Sequence, residues 1–472
     1  MASDSGYDVV VIGAGGAGMS AALEAARMGA SVGLLEAGPR VGGSTAFAGG
    51  LVYAAGTPQQ RARGIDDSPD AMYADILAIN PDSVDPKVIR RLCDEAPAAM
   101  QWLEGLGVEF PADRLSTPNG RGTPRSHEPV GFGMKITECL DTALSQTSVD
   151  LACRSRVEKI ELDAQGAVTG VVVGGEHVGC RAVVIATGGY GGSSEWIRRL
   201  LPKASRVGDW VWHVGNPTNR GDGLTMAEEV GADIRGEDSG LLLITPNFVR
   251  DFEVIGPDWA LMVNTQGRRF AAEDGAYWEI AEAIEAQPDS RAFFVFDRRL
   301  FEDAKPHPRV LEALAAGAIT VSWVPKVFNE QLQKGGVHES PTIAGLAAKI
   351  GVDAATLEMT VTRYTDLAHR EGDEDFGKAQ ASLKPIEVAP FYAIEIRPAI
   401  LTVTGGGMPI DVNARVLTPA GKPIPGLFAA GETVGNVYGR YYVGSGYAIG
   451  SGITFGRIAG QSAAAYARQA AR

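Results

Sequence analysis

The chain is 472 residues long, too long for one ordinary hydrophobic core, so two lobes are expected. Its 43 basic and 57 acidic side chains leave a formal charge of −14, which favours solubility and argues against nucleic acid or an anionic membrane as a partner. Sixty glycines would indicate low complexity if they formed a tract, but they stand at turns between apolar runs, as an α/β protein with many strand-to-helix loops requires.

Residues 1–6 carry neither a basic n-region nor a long apolar segment, and no later stretch approaches a membrane span, so a cytoplasmic protein with no membrane span is expected. The valine-rich run from Tyr7 to Ile12 predicts a buried parallel strand, and glycines follow it at once. Gly13 permits a tight turn, and Gly15, with Ala17 in the same turn, lets the main chain approach a pyrophosphate. Gly18 lets the next helix pack on the sheet with its amino end toward the phosphates. A second strand ends at Glu36, placed to accept hydrogen bonds from a ribose. Strand, glycines, helix, strand and acid in register predict a dinucleotide site. The segment Arg40 to Gly50, with Gly43, Ser44, Thr45, Gly49 and Gly50, then offers many main-chain N–H groups to a second phosphate and to the edge of a flavin.

Ser68-Pro69 starts one predicted helix and Asp85-Pro86 another, in which Val88, Ile89, Leu92, Ala96, Met100 and Leu103 share a face and which Gly107 closes. From there to about Glu128 the chain is polar and contains proline, which predicts a loop, with His127 an exposed loop residue rather than a catalytic one. Cys93, Cys139, Cys153 and Cys180 stand in no metal-ligand spacing; buried thiols of a reducing compartment are expected, and no metal. Alternation over Val157–Leu162 and Val168–Val173, returning to the apolar run at Ala182, predicts a β-meander ending at Thr187 and Gly188 beside the pyrophosphate. Asp222-Gly223 opens a further helix.

Around Gly240 the chain leaves the nucleotide domain. A capping domain is expected over residues 241–401, between two parts of the nucleotide domain at 1–240 and 402–472. It contains the runs Met262–Phe270 and Phe293–Asp297 and two helices, one ending at Gly351 and one capped by Asp353 over Ala354 to His369. Such a lobe can close over a cofactor and exclude water. The chain re-enters the nucleotide domain at Thr404, passes a short strand ending in Gly431 and Glu432, and finishes with Gly444 to Gly452 ahead of a helix expected from Ile453. The amino end of that helix would stabilise a negative flavin edge by about 0.3–2 kcal/mol.

The segment from Arg40 to Gly50, together with Ala186–Tyr190, Gly221–Leu224 and Pro425–Glu432, resembles the flavoprotein superfamily of fumarate reductases, succinate dehydrogenases and 3-ketosteroid dehydrogenases over nearly the whole chain. The resemblance implies an α/β fold, a Rossmann-like FAD-binding domain of parallel sheet plus β-meander with an inserted α+β capping domain. It implies main-chain hydrogen bonds from Val157 to the adenine, a flavin contact from the Asp222 loop, and Gly431 and Glu432 beside the ribityl or pyrophosphate part of FAD, with Ala448 and Ile449 at the flavin. Members with covalent flavin carry a histidine after the Gly-Gly-Ser; this chain has none there, so non-covalent FAD is expected.

Dicarboxylate-handling members carry histidines and arginines where this chain has Thr245, Phe301, Thr402 and Val403, so an electroneutral substrate is favoured. The loop from Gly439 to Gly450 resembles the 3-ketosteroid dehydrogenase branch, in which a tyrosine and a glycine four residues on bind the ketone oxygen; these are Tyr442 and Gly446. After Phe296-Asp297 the chain has Arg298 and Arg299 and lacks that branch's proton-abstracting tyrosine. Tyr277 is the substitute candidate, against a role as a core aromatic. Trp210, Trp212, Trp259 and Trp278 can line an apolar pocket or belong to the core. The expected activity is FAD-dependent desaturation, or reduction in reverse, of the C–C bond next to a cyclic ketone, with an external electron acceptor or donor. The alternative is a fumarate-type enoate reductase using Arg440 on an unsaturated acid.

Overall fold

The computed structural model describes residues 6–118, 122–248, 257–303, 311, 315, 324–370 and 372–471. Residues 1–5, and residues 119–121 within the predicted loop, lie outside these. The chain divides into two compact units. The first comprises Met1–Pro202, Gly215–Leu241 and Val403–Arg472, and the second Lys203–Val214 and Leu242–Thr402. The second unit therefore takes a short earlier segment as well as the insertion.

The first unit is built on an eight-stranded sheet. Its main path runs Arg415–Leu417, Pro423–Ala429, Glu176–Ile185, Tyr7–Ile12, Val32–Leu35, Asp150–Ala152. Val9, Val10 and Val11 are fully buried, because helices cover both faces of a parallel sheet and an alternating pattern would leave polar groups inside. The strand Glu176–Ile185 serves three partners, with Pro423–Ala429 parallel to it at Val183–Ile185. Its first half pairs antiparallel with Val168–Val173 of the meander, and its second half pairs parallel with Tyr7–Ile12 in the register Cys180 to Tyr7, Ile185 to Ile12.

The opening helix, Gly16–Arg27, packs along the last helix, Tyr447–Ala470, and small residues allow the approach. A Cβ on Gly456 would lie 2.4 Å from the Ala17 carbonyl oxygen, and one on Gly460 would lie 2.1 Å from that of Ala21. These glycines are therefore packing residues. The last helix starts at Tyr447, earlier than the expected Ile453, because Gly446 adopts φ +93° and caps it.

Three further expectations are corrected in this unit. Within the polar stretch after Gly107 lie two short strands, Leu115–Ser116 and Ser126–His127, and the latter pairs with Val52–Tyr53. His127 is only 1% exposed. Cys93, Cys139 and Cys180 are buried as expected, whereas Cys153 is half-buried.

The second unit holds a six-stranded sheet organised on the long strand Phe391–Thr404. Ala292–Asp297 and Val337–Ser340 both pair with it antiparallel, and Trp212–His213 pairs parallel at Ile400 and Leu401. The helix Ile343–Ile350 ends at Gly351, which has φ +73°, and Asp353 caps Ala354–His369 by accepting the Thr356 N–H at 2.8 Å. Leu357, Val361, Tyr364 and Leu367 are buried in its core with Phe293 and Phe296. No helix among the described residues is long and apolar enough to cross a membrane.

Candidate functional site

The carboxyl ends of four neighbouring parallel strands come side by side at Ile12, Leu35, Ile185 and Ala429. The turns that leave them are Gly13–Gly18, Glu36, Thr187–Gly188 and Gly431–Glu432, brought together from both ends of the chain. This is where open α/β sheets bind ligands, since strand ends and helix starts present unpaired main-chain groups there.

Gly13 has φ +99°, and a Cβ on it would lie 2.4 Å from the Ala186 carbonyl oxygen; one on Gly18 would lie 1.8 Å from that of Gly13. The backbone of this turn is consequently bare, and Gly15 caps the helix with no side-chain hydrogen bond to its first N–H groups. Glu36, 6% exposed, accepts the Ala14 N–H at 2.8 Å on one oxygen and the Gly38 N–H at 2.6 Å on the other. Those bonds hold the carboxylate beside the glycine turn and leave each oxygen a lone pair for a hydroxyl.

The Gly42 N–H donates to the Ala14 carbonyl at 2.8 Å, which draws the Arg40–Gly50 segment onto the same turn. Ser44 accepts from the Asn216 N–H and from Asn219 Nδ2, both at 3.0 Å, and Thr45 Oγ1 lies 2.8 Å from the place of a Gly16 Cβ. Gly49 leads into Gly50, which has φ +77° and whose Cβ would lie 2.4 Å from the Gly133 nitrogen.

Thr187 and Thr433 carry buried hydroxyls with no hydrogen-bond partner among the described residues. Both lie near the position of a Gly223 Cβ, at 2.3 and 3.3 Å, and buried hydroxyls of this kind suit a polar ligand. Asp222, at the start of the helix Asp222–Glu229, is ion-paired with Arg156, and the adjoining Val157 opens the meander. Glu432 accepts both the N–H and the hydroxyl of Thr404 at 2.8 Å; burial pushes its carboxyl above the usual range against those two bonds.

In the C-terminal loop Tyr442 is 6% exposed, and its phenol oxygen accepts the Ala448 N–H at 3.1 Å. An orphan donor of the helix start is thus satisfied, while the phenol keeps its own proton to donate. Burial pushes the Tyr442 pKa up, against the bond from Ala448, so the hydroxyl stays protonated at neutral pH. Ala448 and Ile449 lie in the first turn of the helix rather than ahead of it, and the Ala448 N–H is already engaged. A Cβ on Gly446 would lie 2.9 Å from the Tyr53 nitrogen, so no larger residue fits without movement. The Gly446 carbonyl accepts the Tyr53 N–H at 3.1 Å, and no partner for the Gly446 N–H appears among the described residues.

His127 is removed from chemistry by its bonds. Its Nδ1 faces the carbonyls of Val52 at 3.2 Å and Arg125 at 2.9 Å, which requires a proton there, and Nε2 meets the Thr57 hydroxyl at 2.9 Å. Burial holds its pKa down at about 4. Composition gave no warning of other buried polar groups in this unit: Asn80, Arg125 and Ser126 are 1%, 2% and 0% exposed, and Arg125 forks onto Asp67 with both contacts at 2.8 Å.

In the second unit, Tyr277 opens the helix Tyr277–Glu285 and is 9% exposed. Phe301 stacks on Phe328 at 4.0 Å and Trp259 meets Phe296 edge-on at 5.4 Å, so both are aromatic packing. Trp210 carries the Arg397 guanidinium 4.7 Å above its ring. Thr245 is fully buried and accepts the Asn247 N–H at 2.8 Å. Arg440 is exposed, with its guanidinium 5.7 Å from the Tyr441 ring.

The FAD binding domain family matches residues 8–449. A probable fumarate reductase, Ifc3, of Shewanella frigidimarina is 34% identical over 97% of this chain and 75% of its own length. The 4-oxocyclohexanecarboxylate 2-dehydrogenase of Sinomonas cyclohexanicum is 30% identical over 98% of this chain and 94% of its own. Among solved structures, 3-ketosteroid-Δ4-(5α)-dehydrogenase from Rhodococcus jostii in complex with 4-androstene-3,17-dione superposes with a TM-score of 0.79 at 29% identity, over 97% of this chain and 96% of that one. The bare glycine turn, the orphaned hydroxyls and the Arg40–Gly50 segment fit the dinucleotide that this family binds.

Proposed function

The chain belongs to the FAD binding domain family, within the fumarate reductase and succinate dehydrogenase flavoprotein superfamily, and from that premise we propose that it desaturates, or in reverse reduces, the C–C bond α,β to the ketone of a cyclic substrate. As a member it is an FAD-dependent oxidoreductase acting on carbon–carbon bonds. The observation that carries the finer reading is the Tyr442 hydroxyl, buried, protonated and braced by the Ala448 N–H, in one loop with Gly446. Tyr442 and the Gly446 N–H donate to the ketone oxygen, which acidifies the neighbouring C–H. Donors aimed at developing negative charge are typically worth about 3–4 kcal/mol each. The α-proton passes to a base, for which Tyr277 is the candidate, and the β-hydrogen leaves as the hydride that FAD accepts when bound.

The dinucleotide is held without a covalent bond, since the segment Gly43–Gly50 contains no histidine. Main chain at Gly13, Gly15, Ala17 and Gly18 takes the pyrophosphate and Glu36 the ribose. Gly43–Thr45, Gly49–Gly50, Thr187–Gly188 and Gly431–Glu432 complete the cradle, Val157 and Asp222 sit toward the adenine and flavin ends, and Ile449 supports the flavin from the last helix. Electrons leave to, or arrive from, a separate partner. The relative named for 4-oxocyclohexanecarboxylate supports a cyclic ketone as substrate, as do Thr245, Phe301, Thr402 and Val403 in place of dicarboxylate-binding cations.

A second reading has its own support: Arg440 is an exposed cation in the same loop, and the relative Ifc3 is named a probable fumarate reductase. Under it the chain reduces an unsaturated carboxylic acid. Anaerobic mixing with cyclic ketones should bleach the flavin band near ~450 nm, the usual absorbance of this cofactor. Indifference to every ketone, with oxidation of reduced dye by unsaturated acids, would exchange the first reading for the second.

A further inference from the structure

The loop that carries Tyr442 and Gly446 is pinned at both ends by polar groups from residues 53–126, of which Tyr53, Asn80 and Ser126 are buried. At one end Asn80 Nδ2 donates to the Tyr441 carbonyl at 2.8 Å and Asn80 Oδ1 accepts the Tyr441 N–H at 2.9 Å. Ser83, whose hydroxyl donates to Asn80 at 3.1 Å, accepts the Arg440 N–H at 3.0 Å. Gly439 has φ +69°, and a Cβ there would lie 2.4 Å from Asn80 Oδ1, so the amide fills the space a side chain would need. At the other end the Ser126 hydroxyl donates to the Ser445 carbonyl at 2.6 Å, the Pro118 carbonyl accepts the Ser445 N–H at 3.0 Å, and Tyr53 holds the Gly446 carbonyl.

Behind Ser126 stands Arg125, forked onto Asp67, bonded to Asp75 at 2.6 Å and to the Tyr53 hydroxyl at 3.2 Å. Its carbonyl accepts the Ala54 N–H at 3.1 Å, so the two strands that hold the loop are themselves tied together. Burial costs an arginine dearly unless it is fully paired, and this one is; a rigid support results.

We infer that Asn80 and Ser126 are positioning residues that set the separation between the Tyr442 hydroxyl and the Gly446 N–H, and so the fit to one carbonyl oxygen. The inference rests on the ketone reading above. Neither side chain needs to touch substrate. A two-sided clamp is required because the loop holds Gly439, Gly444 and Gly446, all at positive φ, and would otherwise be free to shift both donors.

The test uses the FAD-loaded full chain. Asn80→Asp keeps the acceptor for the Tyr441 N–H but sets an oxygen against the Tyr441 carbonyl, and Ser126→Ala deletes the other tie; should one variant fail to fold, the other carries the test. Each should slow flavin reduction by a cyclic ketone about 10- to 100-fold, the scale of a misplacement near 1 Å, with flavin content retained. In a Tyr442→Phe background the same changes should cost markedly less, about 3-fold, because one of the two donors whose separation they set is gone and only the Gly446 N–H is left to misplace. Equal fold-losses in both backgrounds would overturn the inference. Amide hydrogen exchange over residues 440–447 should also quicken in each variant. If Tyr442→Phe itself leaves the rate unaltered, the ketone reading falls, and the clamp then stands or falls on that exchange alone: unaltered protection would refute it.

Discussion

Replacing Tyr442 by phenylalanine removes one oxygen and leaves the ring, whose edge-on contact with Tyr447, 6.3 Å between centroids, can persist. Two effects follow, and they separate. The first is structural: the Ala448 N–H, now held at 3.1 Å, loses its acceptor at the start of the last helix, which costs about 0.5–1.5 kcal/mol of stability. The second is chemical. A donor that acts on charge appearing in the transition state is worth about 2.7–4 kcal/mol, so kcat for ketone oxidation should fall about 10²- to 10³-fold while KM changes little. Stopped-flow bleaching of the flavin under anaerobic conditions measures the rate, and calorimetry the stability. A variant that keeps its rate within about 3-fold, while losing the expected stability, would show that the hydroxyl only caps the helix, and the carbonyl chemistry assigned to it would be refuted.

Gly456→Ala places a Cβ 2.4 Å from the Ala17 carbonyl oxygen and must push the opening helix off the last one. A loss of about 1–3 kcal/mol is expected in thermal unfolding, together with weakened FAD retention on gel filtration, because the displaced helix carries the glycine turn. His127 gives a pH dependence: burial lowers its pKa from 6.5 to about 4, so between those values the unfolded chain binds a proton that the native chain does not. Stability therefore falls as pH drops through that window, by about 1.4 kcal/mol per pH unit, and denaturant titrations should show a shallower slope in His127→Gln. His213, half-buried and likewise lowered by desolvation to about 4, leaves a residual slope in that variant. Acid precipitation of the holoprotein should release all the yellow colour into the supernatant; flavin remaining in the pellet would contradict non-covalent binding.

Local rules made much of this protein legible. The glycine turn works because Gly13 and Gly18 are contiguous in sequence with the strand and helix they join, and the required backbone freedom is a property of those residues alone. The same holds for Asp353 at its helix start and Gly351 at the preceding helix end, whose partners lie within a few residues. Where local signals conflicted with packing, they misled. Glycines at 444, 446, 450 and 452 suggest a delayed helix start, yet Gly446 caps the helix and Gly450 lies within it, where a Cβ would come 3.1 Å from the Tyr53 nitrogen. The polar stretch after Gly107 suggests a loop, yet its Arg125 and His127 are buried because Asp67, Asp75, Thr57 and the Val52 carbonyl meet them from elsewhere in the chain.

Sequence by itself determined that this chain makes a dinucleotide cradle, since that depends on which residues occur at given spacings. Tertiary structure alone decided how the loop of Tyr442 and Gly446 is held: Asn80 meets Tyr441 across 361 positions and Ser126 meets Ser445 across 319. Hydrogen bonds at such separations leave no periodicity or local pattern, because they exist only once the strands and helices have packed and excluded the water that would otherwise take each partner's place.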